Sequence, residues 1–292
     1  MRQEITVVIP VYGQWQLVQR NIDSLLTYEK ENIKEIIIID DCSKEPNTCT
    51  INDGRIKIFK TPVNLGYTGT VNFGLKKVRT DIIVLLDSDA YVKNAFIEKL
   101  LAYYDDKTVG CVGFATTDDD GYETGSHQYE PTVAGLVMGQ AMEFKFSFLR
   151  SSKNILPYSC AVSFRRSCLE DLNYFDDTLF KVLEADNDLC MRIHRSKWKL
   201  LFTKDIVICH KGGNSYKIDS ERVLLFYQSR WNLLKKHRQI KSPAFVKRMM
   251  QLRVLIEIVV LKLLVLTSNS RQAYQDKLNG RKLLLKQIAL YN

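Results

Sequence analysis

The stretch Ile82–Val92, IIVLLDSDAYV, runs five consecutive apolar residues straight into two aspartates one residue apart. A run of that length, rich in β-branched residues, reads as a strand covered on both faces of a sheet. A carboxylate inside such a strand costs several kcal/mol unless it is paired or metal-bound. Asp87 and Asp89 are therefore expected just past the strand's end, at a sheet edge where a ligand can meet them. Asp and Ser are also favoured in turns and at helix N-caps, so this segment alone leaves both readings open.

The surrounding chain supplies more strands of the same kind. ITVVIPVY (Ile5–Tyr12) and EIIIIDD (Glu35–Asp41) are strand-like, and RIKIFK (Arg55–Lys60) alternates. Between them, Gln14–Tyr28 has helical apolar spacing, and NLGYTGTVNFGLKKV (Asn64–Val78) reads as a glycine-bearing turn entering a helix. Asn94–Tyr104 is expected to be a further helix. Alternating strands and helices predict an α/β fold, a mainly parallel sheet with helices on both faces, whose ligands meet the carboxyl ends of the strands. Further on, VGCVGFAT and PYSCAVSFRRS look like strands, ADNDLCMRIHRSK like a helix, and WKLLF and IVICH like two short strands before the loop KGGNS. The segment TDDDGYETGSHQYEPT between Thr117 and Thr132 is expected to be an exposed, mobile loop, with Asp118–Asp120 solvated.

At 292 residues the chain is long enough for one large domain plus an appendage. The formal charge of +9 is unevenly spread: residues 217–292 hold 16 Lys and Arg against 4 Asp and Glu, so the basic excess lies wholly there. That change marks a boundary between a first domain, 1–216, and a basic helical extension, 217–292. Seven cysteines without a CxxC pair or a ligand spacing, and no signal-peptide pattern before EITVVIP, suggest a cytoplasmic protein with reduced thiols.

The acids fall in pairs: Asp40 with Asp41 and Asp87 with Asp89 at strand ends, and Asp186 with Asp188 opening a helix. Converging carboxylates repel unless a cation neutralises them, and a hard divalent ion such as Mg²⁺ or Mn²⁺ suits carboxylate and phosphate oxygens alike. Turn formation by Asp40 and Asp41, and helix-dipole stabilisation by Asp186 and Asp188, are the structural alternatives. His210 is open between a metal ligand and packing at a strand end. No Walker-type loop is present, and no GxGxxG follows the first strand.

Taken in order, VVIPVY, IIIIDDCS, NLGYTGTVNFGL, IIVLLDSDAYV, ADNDLCMRIH and ICHKGGNS resemble the family 2 glycosyltransferases, inverting enzymes of the GT-A fold. The likeness is to rhamnosyltransferase-like and bacterial polysaccharide- or glycan-assembly members, and it covers about Ile5–Ser215. The resemblance implies a nucleotide-sugar-binding catalytic domain of GT-A type over 1–216. Pro10 and Tyr12 would lie on the nucleotide, Asp40 would bind the donor's base with Asp41 beside it, and Asn64 and Gly66 would form the turn next to it. Asp87 and Ser88 would contact the donor, Asp89 would hold the metal, and His210 would lie near metal or diphosphate. Asp186 would be the general base; Ala185 replaces the family's preceding glutamate, which leaves Asp188 as the other candidate.

The implied reaction moves a hexosyl or deoxyhexosyl group, with inversion, from a nucleoside-diphosphate sugar, UDP-sugar favoured, to a hydroxyl of a glycan, glycoprotein or glycolipid. The competing readings are a metal-dependent nucleotidyltransferase and a non-enzymatic carbohydrate- or nucleic-acid-binding module. The first lacks its basic, glycine-rich loop in VYGQWQ, and the basic tail has few aromatics to serve the second, so no nucleic acid partner is expected. In the tail, charges interrupt the apolar stretch Phe245–Leu266, so it is not expected to span a bilayer. Its wide stripe, with Leu255, Val259 and Leu263, favours a homo-oligomer; peripheral contact with the inner face of the membrane is the alternative.

Overall fold

The apolar β-branched runs become the centre of a seven-stranded sheet in the computed structural model, which describes residues 4–139, 142, 154–210, 220–267 and 271–292. The strands are β1 (Ile5–Val11), β2 (Ile33–Asp40), β3 (Ile56–Lys60), β4 (Ile82–Leu86), β5 (Val109–Thr117), β8 (Ala161–Arg165) and β9 (Lys199–Cys209). Their order is β3-β2-β1-β4-β8-β5-β9. Every residue of β1, β4 and β8 is buried, as expected for strands covered on both faces. β1 pairs in parallel with β2 and β4, and β2 with β3. β8 runs against both β4 and β5, while β5 pairs in parallel with β9. Six strands therefore point one way and one is reversed. A short second sheet pairs β6 (His127–Tyr129) with β7 (Ile155–Pro157).

Helices α1 (Trp15–Tyr28), α2 (Gly66–Leu75) and α3 (Ile97–Tyr103) follow β1, β3 and β4. α1 buries Trp15, Val18, Ile22 and Leu25 on one stripe. The carboxylate of Glu29, itself buried, accepts from the Phe96 and Ile97 amides and so caps the start of α3. Two more helices, α5 (Arg166–Asp171) and α6 (Ala185–His194), complete this unit; α4 (Val133–Met138) belongs elsewhere.

The chain divides into Met1–Gln128 with Asn154–Ser215, and Tyr129–Lys153 with Tyr216–Asn292. A single cut at 216 would leave α4 with the sheet. Instead Leu136 of α4 lies in one apolar cluster with Tyr227, Trp231, Met250 and Leu284. That cluster is the core of the second unit, whose long helices are α7 (Ser220–Lys236), α8 (Pro243–Thr267) and α9 (Arg271–Ala289). Trp231 sits 5.1 Å from the Tyr291 ring and donates to the Asn292 carbonyl at 3.1 Å, tying the C-terminus to α7. No helix among the described residues is long and apolar enough to cross a membrane.

Three local expectations change. WKLLF and IVICH are one strand, β9, because Lys204, Asp205 and Ile206 are absorbed as a register shift between the Phe114–Thr203 and Ala115–Val207 pairs. PYSCAVSFRRS divides into the end of β7, the strand β8 and the start of α5. The acidic segment after Thr117 is exposed as expected at Asp119–Glu123, yet it is hydrogen-bonded: Asp118 accepts from the Asp120 and Tyr122 amides at 3.0 and 2.9 Å. Asp119 pairs with Arg20 at 3.0 Å and accepts from the Tyr91 hydroxyl. The loop KGGNS, 211–215, lies outside the described residues.

Gly74 lets α2 lie close against the sheet, since a Cβ there would lie 2.8 Å from Val8 Cγ1 and 2.9 Å from Ile39 Cγ1. Gly74→Val is therefore expected to cost about 1–3 kcal/mol through overpacking. Urea denaturation checks this, and an unchanged midpoint would contradict the packing described.

Candidate active site

The reversed strand decides what gathers at the carboxyl edge of the sheet. Leu86, last in β4, pairs with Ala161, first in β8. Ser159 and Cys160, which lead into β8, thus arrive where β4 ends. The Asp87 amide donates to the Cys160 carbonyl at 3.0 Å, and the Ala90 amide closes a turn on the Asp87 carbonyl at 3.0 Å. This turn presents Asp87, Ser88 and Asp89, all half-buried. Tyr91 and Cys209 then exchange backbone hydrogen bonds of 2.9 and 2.8 Å, pinning the end of β9 beside the turn. His210 follows directly.

The His210 Nε2 atom lies 3.2 Å from Asp89 Oδ1 and 3.8 Å from Asp87 Oδ2. Its backbone is held by a 2.7 Å bond to the Thr117 carbonyl and a 3.0 Å bond from Thr124 Oγ1. The Tyr67 hydroxyl donates to Asp87 Oδ1 at 2.8 Å and lies 3.0 Å from Ser159 Oγ. The Ser159 amide points to Asp186 Oδ2 at 3.4 Å, and Asp186 Oδ1 accepts from the Asn187 amide at 2.8 Å. A hydrogen-bonded path therefore links Asp186, at the start of α6, to the Asp87–His210–Asp89 cluster.

The charges are set by burial and by one another. Burial raises the Asp87 carboxyl above its ordinary range, and Asp89 adds to that, against the opposing pull of His210 and Tyr67. Burial also works to raise Asp89, but its hydrogen bond from His210 prevails and holds it low. Burial would depress His210, yet hydrogen bonds to Asp89 and Cys160 and the charge of Asp87 lift it to about 11. The imidazolium is thus the counter-charge of the two carboxylates. Asp186 is raised to about 6, by burial first and by Glu184 second.

Asp87, Asp89 and His210 each offer one ligand atom, all within 4.8 Å of one another. Two carboxylates and an imidazole are a donor set that fits a divalent cation, which would take the place of the imidazolium proton.

The other expected site residues are placed as follows. Pro10 is buried in β1 opposite Ile39, and Tyr12, just beyond the strand, is 53% exposed. Asp40 is buried and accepts from the Ser43 amide at 2.8 Å, with Lys60 Nζ at 3.7 Å. Asp41 accepts from the Leu65 and Gly66 amides at 2.7 and 3.0 Å and from Thr61 Oγ1 at 3.1 Å. Its carboxylate thus anchors the start of α2. Asn64 accepts from the same Gly66 amide at 3.1 Å. Gly66 has φ +72°, and a Cβ there would meet the Lys181 carbonyl at 3.2 Å, so glycine is needed.

The structure separates Asp186 from Asp188. Asp188 is fully buried and pairs with Arg192 at 2.8 Å, and Arg192 also donates to the Leu172 and Tyr174 carbonyls. Its place is in the packing of α6. Tyr67, Ser159 and Cys160 are site neighbours that the sequence reading passed over. Tyr67 lay inside the quoted Asn64–Val78 turn. Ser159 and Cys160 carried no signal, because their position depends on the direction of β8.

Solved structures share this architecture. A Pyrobaculum calidifontis mannosyltransferase, solved with GDP-Man and Mn²⁺, aligns with TM-score 0.59 and 13% identity over 99% of this chain and 87% of its own. Staphylococcus aureus TarS 1-349, solved with UDP-GlcNAc, aligns with TM-score 0.53 and 15% identity over 85% and 70%. The fold is thus the GT-A fold of glycosyltransferases. An uncharacterized glycosyltransferase of Haemophilus influenzae is 38% identical over 104 residues, 34% of this chain and 41% of that protein. The pre-mycofactocin glycosyltransferase of Mycobacterium tuberculosis is 25% identical over 225 residues, 71% of this chain and 43% of that protein. The chain thus matches less than half the length of these two relatives. Residues 6–172, more than half of the chain, match glycosyl transferase family 2, and the chain belongs to that family.

The cluster makes a prediction of its own. His210→Ala leaves two carboxylates facing each other, so the metal-free protein should lose about 2 kcal/mol at neutral pH. Because His210 is raised to about 11, this difference should be largest at and below neutral pH and fade as pH rises toward that value. Equal urea midpoints for the two proteins at neutral pH would show that His210 does not balance this charge.

Proposed function

We propose that the protein transfers a glycosyl group, with inversion, from a nucleoside-diphosphate sugar to an acceptor hydroxyl. The observation that carries the proposal is the hydrogen-bonded path from the Asp87–Asp89–His210 cluster to Asp186 at a sheet edge of a family 2 chain. Asp89 and His210, with Asp87, would hold a divalent cation. Such an ion, Mn²⁺ or Mg²⁺, supplies Lewis-acid neutralisation of the charge that develops on a departing diphosphate. Mn²⁺ accompanies GDP-Man in the Pyrobaculum calidifontis enzyme and UDP in the GalNAc-T7 structure, which supports this reading.

The residues of the chain divide the remaining work. Asp40 and Tyr12, at the ends of β2 and β1, lie where the donor's nucleoside would be held, and Ser88 lies in the turn beside its phosphates. Asp41, Asn64 and Gly66 shape the turn next to that position rather than offering free ligand atoms. Asp186 takes the proton of the attacking hydroxyl. Its carboxyl near 6 is ionised at neutral pH yet basic enough to accept that proton. No enzyme nucleophile is needed, and single displacement inverts the anomeric centre. UDP is favoured as the nucleotide, in line with the UDP and UDP-GlcNAc complexes of TarS. The acceptor is read as a hydroxyl of a glycan, glycoprotein or glycolipid. A nucleotidyltransferase finds no support in the residues after β1, VYGQWQ, which hold no basic side chain for a triphosphate.

Two predictions separate the carboxylates of α6. Asp186→Asn should retain UDP binding but lose about 10²-fold or more in kcat, the usual worth of a general base. Asp188→Asn should instead unfold at lower denaturant because Arg192 loses its buried partner. An active Asp186→Asn enzyme would refute the assignment. A base must be ionised, so wild-type kcat/KM should fall as pH drops through about 6. A flat profile between neutrality and the range of an ordinary carboxylate would count against it.

A further inference from the structure

The outer face of α8 carries a repeat that the transfer chemistry does not use. Phe245, Leu252, Val259 and Leu266 fall seven residues apart, and Met249, Ile256 and Leu263 fall between them. The spacing is four, three, four, three without a break, and every position is apolar. That is the a/d spacing of a coiled-coil seam, in which each such position faces a partner helix. The helix's own bundle is served by a different face, since Val246, Met250, Val254 and Ile258 are buried in the second unit's core. Of the seven outer residues, all but Met249 are 52–71% exposed. With Leu255 and Val260 the stripe exposes on the order of 800 Å² of side chain, the share each partner gives to a standard interface. A continuous apolar patch of that size on a soluble protein marks a surface that is covered in use.

We propose that this face packs against the same face of a second copy of the chain. The unbroken repeat is what another helix reads, and a self-complementary stripe closes naturally about a two-fold axis. A lipid surface is a poorer fit. A helix lying on a membrane sets a strongly polar face against its apolar one and draws on Trp at the boundary. Here the opposite face is apolar core, and the stripe holds neither Trp nor Tyr. Several of the unit's basic groups are also engaged internally. Lys247 donates to the Tyr291 carbonyl at 2.9 Å, Arg253 pairs with Glu257 at 2.7 Å, and Arg281 pairs with the same glutamate. Arg248 and Lys262 border the seam, so like charges flank it in both copies. Salt should therefore strengthen the association, whereas it weakens attraction to anionic lipid. The proposal stands independently of the glycosyl-transfer reading.

Sedimentation of the full-length protein, from low to high micromolar concentration and at low and molar salt, tests it. The expected result is a mass of two or more chains that persists at molar salt. Replacing two exposed seam residues, Ile256→Glu with Leu263→Glu, should weaken self-association about 100-fold by placing desolvated charges in the seam. UDP binding and the far-ultraviolet circular dichroism should not change. If that variant does not fold, Val259→Ser, also exposed, is read in the same way. A wild-type monomer at every concentration would overturn the proposal. So would association untouched by the substitutions, or a monomer that co-sediments with anionic phospholipid vesicles.

Discussion

The pairing of Leu86 with Ala161 organises the site. Were β8 parallel to its neighbours, its leading residues would lie at the amino edge of the sheet, far from Asp87. Because it runs the other way, Ser159 and Cys160 meet the Asp87–Asp89 turn as it leaves β4. The Asp87 amide continues the ladder onto Cys160, and Ser159 stands between Tyr67 and Asp186. One reversed strand thus lets a carboxylate from α6 share an edge with acids that follow a parallel strand. Pinning the end of β9 through Tyr91 and Cys209 adds the imidazole.

Electrostatics follow from that assembly. Two carboxylates at one half-buried edge are costly alone, and the protein balances them with the His210 imidazolium. A divalent cation in place of the imidazolium proton would offset both carboxylates, where the proton offsets one. Asp186 stands apart from this pair. Its carboxyl is raised by burial and by Glu184, the residue in left-handed conformation that precedes α6. Asp89 is held low while Asp186 is raised, so the two carboxylates differ in proton affinity in the sense that the proposed cation-holding and base roles would require.

Much of this was legible in the sequence, for physical reasons. β-branched apolar runs read as central strands, which put Asp40, Asp87 and Asp89 at strand ends, whereas the residues alone left His210 open and only the family resemblance drew it toward the acids. The direction of Ala161–Arg165 was not legible, because alternation and burial look alike whichever way a strand runs. Nor could sequence separate Asp186 from Asp188. Two residues apart on a helix, they point to different sides, and only the packing of α6 says which side is core. The partners of Asp41 were not legible either. Asp41 lies one residue past the strand that Asp40 ends, and its oxygens are taken by amides that approach from the turn before α2.

The central claim is that Asp89 and His210, with Asp87, form a cation site within the family 2 fold. Pulsed electron paramagnetic resonance of Mn²⁺ added with UDP to the full-length protein tests it most directly. The account predicts one bound ion per chain with nitrogen modulation from a single imidazole, lost in His210→Ala while the bound nucleotide's phosphorus coupling remains. Mn²⁺ bound without any imidazole nitrogen, or no Mn²⁺ bound in the presence of UDP, would contradict it.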